Sequence, residues 1–255
     1  MALSGPIITL TSDFGQADWY VAAMKAVLLK ECPDARLVDV THQIPAGDIL
    51  AGTLCLERAI AAFAPATIHL AVVDPGVGSS RRILVVSIAD QLVLCPDNGL
   101  ITWAWRRSPP GTAHELTWRP PRSSSTFHGR DVMAPAAGML AAGAGLKPIA
   151  RPIDDPLLLD VQPIRDVGQA GQIIHFDRFG NAITNILKEA IGARSETHVW
   201  IAGRDLGPIK NTYSDVAKGD ALAMIGSSGL LEISVRDGSA KTNLDLTIGR
   251  MIQLR

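Results

Sequence analysis

Asp74 and Arg81 are an acidic and a basic residue separated by a short, glycine-rich segment, PGVGSS. Residues 67–73 (TIHLAVV) are apolar and rich in β-branched side chains, which predicts a buried strand. Pro75 and the glycines after it end that strand, so Asp74 lies at its carboxyl end, where α/β sheets commonly bind ligands. Opposite charges across such a turn could fix a small polar molecule between them. The alternative is a tight turn closed by one surface ion pair, and the stretch alone favours neither.

Three further polar groups are candidates for a binding site. Asp13 follows the apolar segment 6–10 and is a second acid at a strand end. His128 lies just before a predicted helix, whose N-terminus carries partial positive charge and favours an anion. Residues 177–181 (DRFGN) gather polar side chains around Phe179, which would suit a flat ligand with hydroxyl groups. For this last segment the residues slightly favour the alternative, a loop whose Asx side chains satisfy only the backbone.

The strands that must position these groups are short apolar segments in the first part of the chain. Single strands are predicted at residues 6–10, 36–40 and 67–73, and a hairpin pair at 82–88 and 92–94. Helical patterns separate the strands, and this alternation predicts a βαβ sheet with both faces covered.

Three aspartates lie where they could cap the N-termini of predicted helices. Asp18 is expected to cap a helix to about residue 30, Asp48 a helix to about residue 63, and Asp131 an Ala- and Gly-rich helix to about residue 142. Residues 106–125 are rich in Pro, Arg and Ser and are predicted to form a long loop that leads to His128.

The composition changes after residue 146, where four prolines punctuate a stretch without helical period that is predicted to be a linker. From residue 172 onward the apolar segments are short and separated by turn residues, which predicts strands. The expected fold class is α/β: an N-terminal parallel-type α/β sandwich domain (1–162) followed by a smaller C-terminal all-β barrel-like domain (163–255). The predicted C-terminal strands are QIIHF, HVWIAG, ALAMI, LLEISV and LTIGRMIQL.

Charge and composition argue against several classes of partner. The chain has 255 residues and a formal net charge of −1, so nothing in its charge suggests a nucleic-acid or polyanion partner. No apolar run approaches the roughly 18 residues that span a bilayer, and the start of the sequence lacks a basic n-region. The three cysteines are isolated and lack metal-ligand spacing, which predicts free thiols in a reducing compartment, the cytoplasm, and no metal.

Five motifs in register resemble one family over nearly the whole chain. They resemble the S-adenosyl-L-methionine (SAM) hydroxide adenosyltransferases, the adenosine-forming SAM hydrolases, which are relatives of fluorinating and chlorinating enzymes. The motifs are TSDFG at 11–15, VDPGVGSSRR at 73–82, PDNG at 96–99, TFHGRD at 126–131 and FGNAITNI at 179–186.

The resemblance implies a role for each matched position. It implies that Asp74, Arg81 and His128 hold the attacking water, with SAM as substrate, adenosine and L-methionine as products, and no cofactor. It also implies a homotrimer with sites between subunits. The implied substrate-binding residues are Asp13 at the ribose diol, Asp18 at the methionine end, Phe179 near the adenosine, Asn181 as a ligand-binding residue of the second domain, and Ser227, Glu232 and Val235 near the methionine or adenine ends.

Three departures separate the chain from its fluorinating relatives. Those relatives carry tyrosine where Asp74 stands, a tyrosine and a serine where His128 and Gly129 stand, and an extra loop. A carboxylate would repel a halide, whereas it can accept a hydrogen bond from water. The sequence therefore favours water as the nucleophile, and the alternatives are a chlorinating relative and a non-catalytic SAM or adenosine sensor.

Water needs activation at neutral pH because its own pKa is about 15.7. Arg81 could stabilise a developing hydroxide, and either Asp74 or His128 could take the proton. A cation beside Asp74 would weaken the carboxylate as a base. This modestly favours His128 as the acceptor, with Asp74 orienting the water.

Overall fold

Two units make up the chain, Met1–Asp160 and Val161–Arg255. The structure is a computed structural model, and it describes residues 5–108, 111–192 and 197–255. The strands of the first unit are β1 (Ile7–Ser12), β2 (Arg36–Thr41), β3 (Ile68–Val72), β4 (Ile83–Ile88), β5 (Gln91–Pro96), β6 (Thr112–Leu116) and β7 (Ala150–Ile153). Its helices are α1 (Tyr20–Glu31), α2 (Ile49–Ala62), α3 (Thr102–Arg107) and α4 (Ala134–Ala141), the last preceded by a π-helical turn at Gly129–Met133.

The strands of the first unit form one mixed sheet in the order β2-β1-β3-β5-β4-β6-β7. The first four of these are parallel, and β4, β6 and β7 run antiparallel to their neighbours. Alternate residues of β3 and its extension pack on opposite faces of the sheet, as the two-residue period of a strand requires. Leu70 and Val72 join a core with α1 and α4, whereas Ala71 and Val73 join a core with α2 and α3. The predicted α/β sheet with covered faces is confirmed.

The second unit is built on strands that are all antiparallel. They form one sheet in the order β11-β10-β14-β8-β9-β13-β12. Lys210, just beyond β11, bridges to Met224 of β12, so the two edge strands approach each other and the sheet nearly closes. This confirms the barrel-like C-terminal domain. Its elements are β8 (Gly171–Phe176), β9 (Ala182–Leu187), β10 (His198–Ile201), β11 (Arg204–Pro208), β12 (Ala221–Ile225), β13 (Leu230–Val235), β14 (Met251–Leu254) and the short helix α5 (Ala240–Asn243).

Four strands of the structure were not predicted from the sequence. The predicted loop at 106–125 contains β6, and the predicted linker contains β7, which pairs with β6 at the edge of the sheet. An edge strand tolerates Pro152 because it needs hydrogen bonds on one side only. In the second unit β9 and β11 were missed, since their residues were taken for polar loops and a turn.

One of the three predicted helix caps is confirmed by the structure. Asp48 caps α2, because its side chain accepts a hydrogen bond of 2.9 Å from the backbone N–H of Ala51. The cap predicted at Asp18 was wrong, since α1 begins at Tyr20 with Trp19 in the cap position. The cap predicted at Asp131 was also wrong. Asp131 lies inside the π-helical turn and pairs with Arg130, and the residue that precedes the turn is His128. Among the described residues no helix has the length and apolarity to cross a membrane.

A buried histidine in β3 makes two side-chain hydrogen bonds, and its burial favours the neutral ring. The Nδ1 of His69 lies 2.7 Å from the hydroxyl of Thr9, and its Nε2 lies 2.6 Å from the amide oxygen of Gln91. An amide oxygen only accepts, so Nε2 carries the proton and Nδ1 accepts from the hydroxyl. Burial lowers the pKa of His69, and the bond to Gln91 opposes that shift.

We expect this histidine to make the protein less stable in mild acid. Below about pH 6.5 the unfolded chain binds a proton at His69 that the folded chain resists, so the free energy of unfolding falls as the pH decreases. His69→Gln cannot be protonated and should show a smaller fall. Urea denaturation at about pH 5.5 and 7.5 measures both slopes. Equal slopes in the two proteins would contradict the assignment.

Candidate active site

Asp74 and Arg81 form a bidentate ion pair at one edge of the first sheet. The Nε of Arg81 donates to Oδ1 of Asp74 at 2.6 Å, and its Nη2 bonds the other carboxylate oxygen. The two side chains are only 4% and 8% exposed. The alternative of a surface ion pair therefore does not hold, because both charges are shielded from bulk water.

His128 completes a contiguous group with this pair. Its Nδ1 lies 3.3 Å from Nη2 of Arg81. Gly78 allows the approach of the two loops: it has a φ of +83°, and a Cβ there would lie 2.6 Å from the carbonyl oxygen of Ser125. The structure thus brings together the three residues that the sequence singled out for holding water.

The imidazole of His128 is suited to accept a proton. Burial and then the charge of Arg81 lower its pKa, and the charge of Asp74 opposes them. Because a guanidinium only donates, Nδ1 accepts from Arg81 and the proton of the neutral ring lies on Nε2. The ring is therefore neutral at physiological pH, with a lone pair that faces the ion pair.

A cavity of about 440 Å³ opens beside this group. Asp74 and His128 line it, and much of the remaining wall is aromatic. The ring of Phe127 makes edge-on contacts with three other rings at centroid distances of 5.4–5.9 Å. Such a wall lowers the local dielectric and so strengthens the electrostatic effect of nearby charges. The aromatic residues are Phe14, Trp19, Tyr20 and Phe127.

The first unit holds two more candidates: Asp13, which follows β1 beside the end of β3, and Asp18. Asp13 is half-buried, and its Oδ2 accepts a hydrogen bond of 2.8 Å from the backbone N–H of Gly47. Asp18 is exposed. Neither residue is among those that line the cavity.

A pocket of about 500 Å³ in the second unit contains three of the predicted binding residues. Phe179, Asn181 and Val235 line it, together with Tyr213 and Asp237. Phe179 is 76% exposed, whereas Asn181 is buried.

The loop before β9 is tied down by one aspartate. The Oδ1 of Asp177 accepts from the backbone N–H groups of Phe179 and Asn181, and its Oδ2 accepts from the Asn181 amide at 2.9 Å. The alternative reading of this segment, a loop whose Asx side chain satisfies the backbone, is therefore correct for Asp177. The same bonds leave the ring of Phe179 available at the pocket.

Glu232 and Ser227 occupy different surroundings. The carboxylate of Glu232 is buried in β13 and accepts from the hydroxyls of Tyr213 at 2.7 Å and Ser234 at 2.8 Å. Burial and the bond to Glu232 raise the pKa of Tyr213 to about 12, so its hydroxyl stays protonated and donates. Ser227 is exposed in the turn between β12 and β13.

Sequence reasoning missed most of the aromatic residues of both pockets. Trp19 and Tyr20 were read only as part of a helix, although two aromatics in succession are conspicuous in a chain with 5% aromatic residues. Tyr213 and Asp237 are isolated in the sequence and carry no local signal. Among the described residues no group of three or more His, Cys, Asp or Glu side chains could hold a metal ion.

Comparisons with known proteins match both units. Residues 8–150 match the model of the SAM hydroxide adenosyltransferase N-terminal domain, and residues 171–253 that of the C-terminal domain. A Thermus thermophilus protein named (R)-S-adenosyl-L-methionine hydrolase is 38% identical over 95% of this chain and 97% of its own. A Nocardia brasiliensis protein named fluorinase is 25% identical over 98% of this chain and 97% of its own. The crystal structure of an uncharacterized conserved protein from Thermotoga maritima superposes with a TM-score of 0.87 at 30% identity, covering 97% of this chain and 99% of that one. The resemblance seen in the five motifs is confirmed, and the chain belongs to the SAM hydroxide adenosyltransferase family.

Proposed function

We propose that the protein hydrolyses SAM to adenosine and L-methionine by attack of water on the ribose C5′. The observation that carries the proposal is the buried contact of Asp74, Arg81 and His128 beside a cavity. The similarity to a protein named (R)-S-adenosyl-L-methionine hydrolase supports the same substrate.

The chemistry needs an activated oxygen nucleophile and little else. Methionine leaves readily because its sulfur is already a sulfonium, so the carbon–sulfur bond breaks as the new carbon–oxygen bond forms. Arg81 stabilises the negative charge that develops on the water oxygen. Asp74 accepts one hydrogen bond from that water and orients it. The water O–H replaces the Arg81 N–H as the donor to Nδ1 of His128, and Nδ1 then takes the proton. Neither a metal nor a cofactor has a role in this scheme.

A charged carboxylate at the nucleophile is the reason to favour water over a halide. Asp74 has little exposure and is fixed by two bonds to Arg81. Repulsion between a carboxylate and a chloride is strong where water does not screen it.

Isotope labelling of the product tests this proposal directly. Pure protein incubated with SAM in H₂¹⁸O and sodium chloride should form adenosine that carries one ¹⁸O at its 5′ hydroxyl. Heat-denatured protein serves as the control for spontaneous decay of SAM. Formation of 5′-chloro-5′-deoxyadenosine without adenosine would indicate a halogenating enzyme, and binding of SAM without any product would indicate a sensor.

We assign the ribose diol to Asp13 and expect its loss to weaken binding. A carboxylate has about four acceptor sites, and Gly47 uses one, so sites remain for both ribose hydroxyls. Asp13→Ala should weaken adenosine binding by about 1.5–3 kcal/mol, the range for hydrogen bonds to a charged group. Calorimetry measures the change. Unchanged affinity for adenosine in a folded Asp13→Ala protein would remove this role.

The remaining binding roles are proposals from the family resemblance. Asp18 is assigned to the methionine end, Phe179 to the adenosine and Asn181 to ligand binding. Ser227, Glu232 and Val235 are assigned to positions near the methionine or adenine ends. The active form is proposed to be a homotrimer. Light scattering on the purified protein should then give a mass three times that of one chain.

A further inference from the structure

Asp74 follows β3 and Arg81 precedes β4, and these two strands do not pair with each other. The sheet order β3-β5-β4 places β5 between them. Because β5 is parallel to β3 and antiparallel to β4, the end of β3, the end of β5 and the start of β4 meet at one edge of the sheet. The turn that follows β5, Asp97–Asn98, therefore lies between the two backbone segments that flank the ion pair. We call these segments, residues 73–74 after β3 and residues 81–82 before β4, the stems.

Asn98 holds the stem that leads to Asp74. Its amide Nδ2 donates to the carbonyl oxygen of Val73 at 2.9 Å, one residue before Asp74. Its Oδ1 accepts from the backbone N–H of Leu100 at 3.2 Å, which fixes the orientation of the amide. The backbone direction at the start of the loop thus depends on this one side chain.

Asp97 holds the stem that leads away from Arg81. Its backbone N–H donates to the carbonyl oxygen of Arg82 at 3.0 Å, and its Oδ2 accepts from Nε of Arg82 at 2.7 Å. Its Oδ1 accepts from the backbone N–H of Leu157 at 2.7 Å. Asp97 is 8% exposed, so these bonds are made out of contact with bulk water.

We infer that Asp97 and Asn98 are positioning residues that hold the Asp74 carboxylate and the Arg81 guanidinium at the separation needed to activate water. The inference rests on the proposed hydrolysis of SAM. Neither residue lines the cavity, yet each binds the immediate neighbour of one member of the ion pair. Their loss should therefore affect the nucleophile and leave the binding of the nucleoside unchanged.

Asn98→Ala is the variant that tests this arrangement. We expect kcat to fall about 10-fold or more, because a misplacement of about 1 Å at a reacting group can cost 10²-fold. The KM for SAM and the dissociation constant for adenosine should change less than about twofold, since both report ground-state binding.

The pKa of His128 gives a readout that does not need turnover. The charged groups that act on this ring are Arg81, Asp74, Arg119 and Asp131, and after burial the largest influence is Arg81. If Asp74 moves away in Asn98→Ala, the pKa of His128 should fall further below its ordinary value, because the charge of Asp74 raises it in the wild-type protein. An NMR titration of the protein with labelled histidine measures this fall.

Gln91→Ala is the matched control at the opposite end of the same strand. Its Nε2 also donates to a buried backbone carbonyl, that of Ile60, at 2.9 Å. This variant should lose stability while keeping its kcat and the pKa of His128. If Asn98→Ala does not fold, Arg82→Lys loosens the other stem, because an ammonium cannot reproduce the fork of bonds to Asp97 and Asp155.

Three outcomes would overturn the inference. A folded Asn98→Ala protein with unchanged kcat and an unchanged pKa of His128 would make the turn a purely structural feature. An equal loss of kcat in Gln91→Ala would make the effect one of general destabilisation. A large rise in KM would place Asn98 in ligand binding. Wild-type protein that forms no adenosine would instead contradict the proposed hydrolysis, and the titration of His128 would still decide whether the turn positions the ion pair.

Discussion

His128→Ala is expected to lower kcat by about 10²-fold or more, the usual contribution of a general base. The dissociation constant for SAM should change little, because a group that acts on the nucleophile contributes in the transition state. Steady-state kinetics and calorimetry on the same preparation measure the two quantities.

The control is the same substitution at another half-buried histidine of the first unit. His114 lies on β6 and is not among the residues that line the active-site cavity. His114→Ala should keep its kcat. Added imidazole should partly restore the activity of His128→Ala, because it can occupy the vacated space and accept the proton. A collapse of SAM affinity in His128→Ala with near-normal kcat would make His128 a ligand-binding group.

The pH dependence of wild-type activity should also show that His128 accepts the proton. Only the neutral ring of His128 can accept a proton, and its pKa lies below the ordinary value because of burial and Arg81. Activity should therefore persist below about pH 6.5 and fall only as the pH passes the lowered pKa. In His128→Ala this acidic limb should disappear.

Short-range patterns in the sequence were sufficient to predict the central part of the fold. The β-branched run that forms β3 and the hairpin of β4 and β5 are buried and regular, so their composition is dominated by packing. The strands β6 and β7 were missed because they are partly exposed, and β7 contains Pro152. For half-exposed strands the pairing partner decides the structure, and the partner lies far away in the sequence.

In the site as well, contacts between residues close in sequence could be predicted, whereas contacts between distant residues could not. Asp74 and Arg81 share one loop, so their pairing could be anticipated from seven residues of sequence separation. His128 is 47 residues from Arg81, and the resemblance to a family was needed to assign it the same water as the pair. The residue types of the aromatic wall around Phe127 did not by themselves predict a cavity, since helix starts and cavity walls can have the same composition.

The bidentate ion pair also determines how Asp74 can act. Both carboxylate oxygens are already engaged by Arg81, so a free lone pair can accept from a water but is poorly placed to remove a proton. This geometry supports a division of roles in which Asp74 orients the water and His128 takes the proton.

Asp74→Asn is expected to lower kcat by about 10-fold or more, with little change in SAM affinity, because the side chain keeps its shape and loses its charge. Without the carboxylate, Arg81 has no charged partner in a shielded site, so the free energy of unfolding should also fall. The pKa of His128 should fall further, since the charge of Asp74 raises it in the wild-type protein. Denaturation in urea and an NMR titration measure these two consequences.

The double variant Asp74→Asn/His128→Ala tests whether both residues act on one water. If they do, the second substitution removes an interaction that the first has already broken, and the losses of kcat are not multiplied. The double variant should then be about as slow as the slower single variant, with a coupling energy of about 1–3 kcal/mol in the cycle. Pairs of residues that act independently and lie far apart give additive free energies. Losses that multiply fully in the double variant would show that Asp74 and His128 act on different steps, and the single-water mechanism would have to be abandoned.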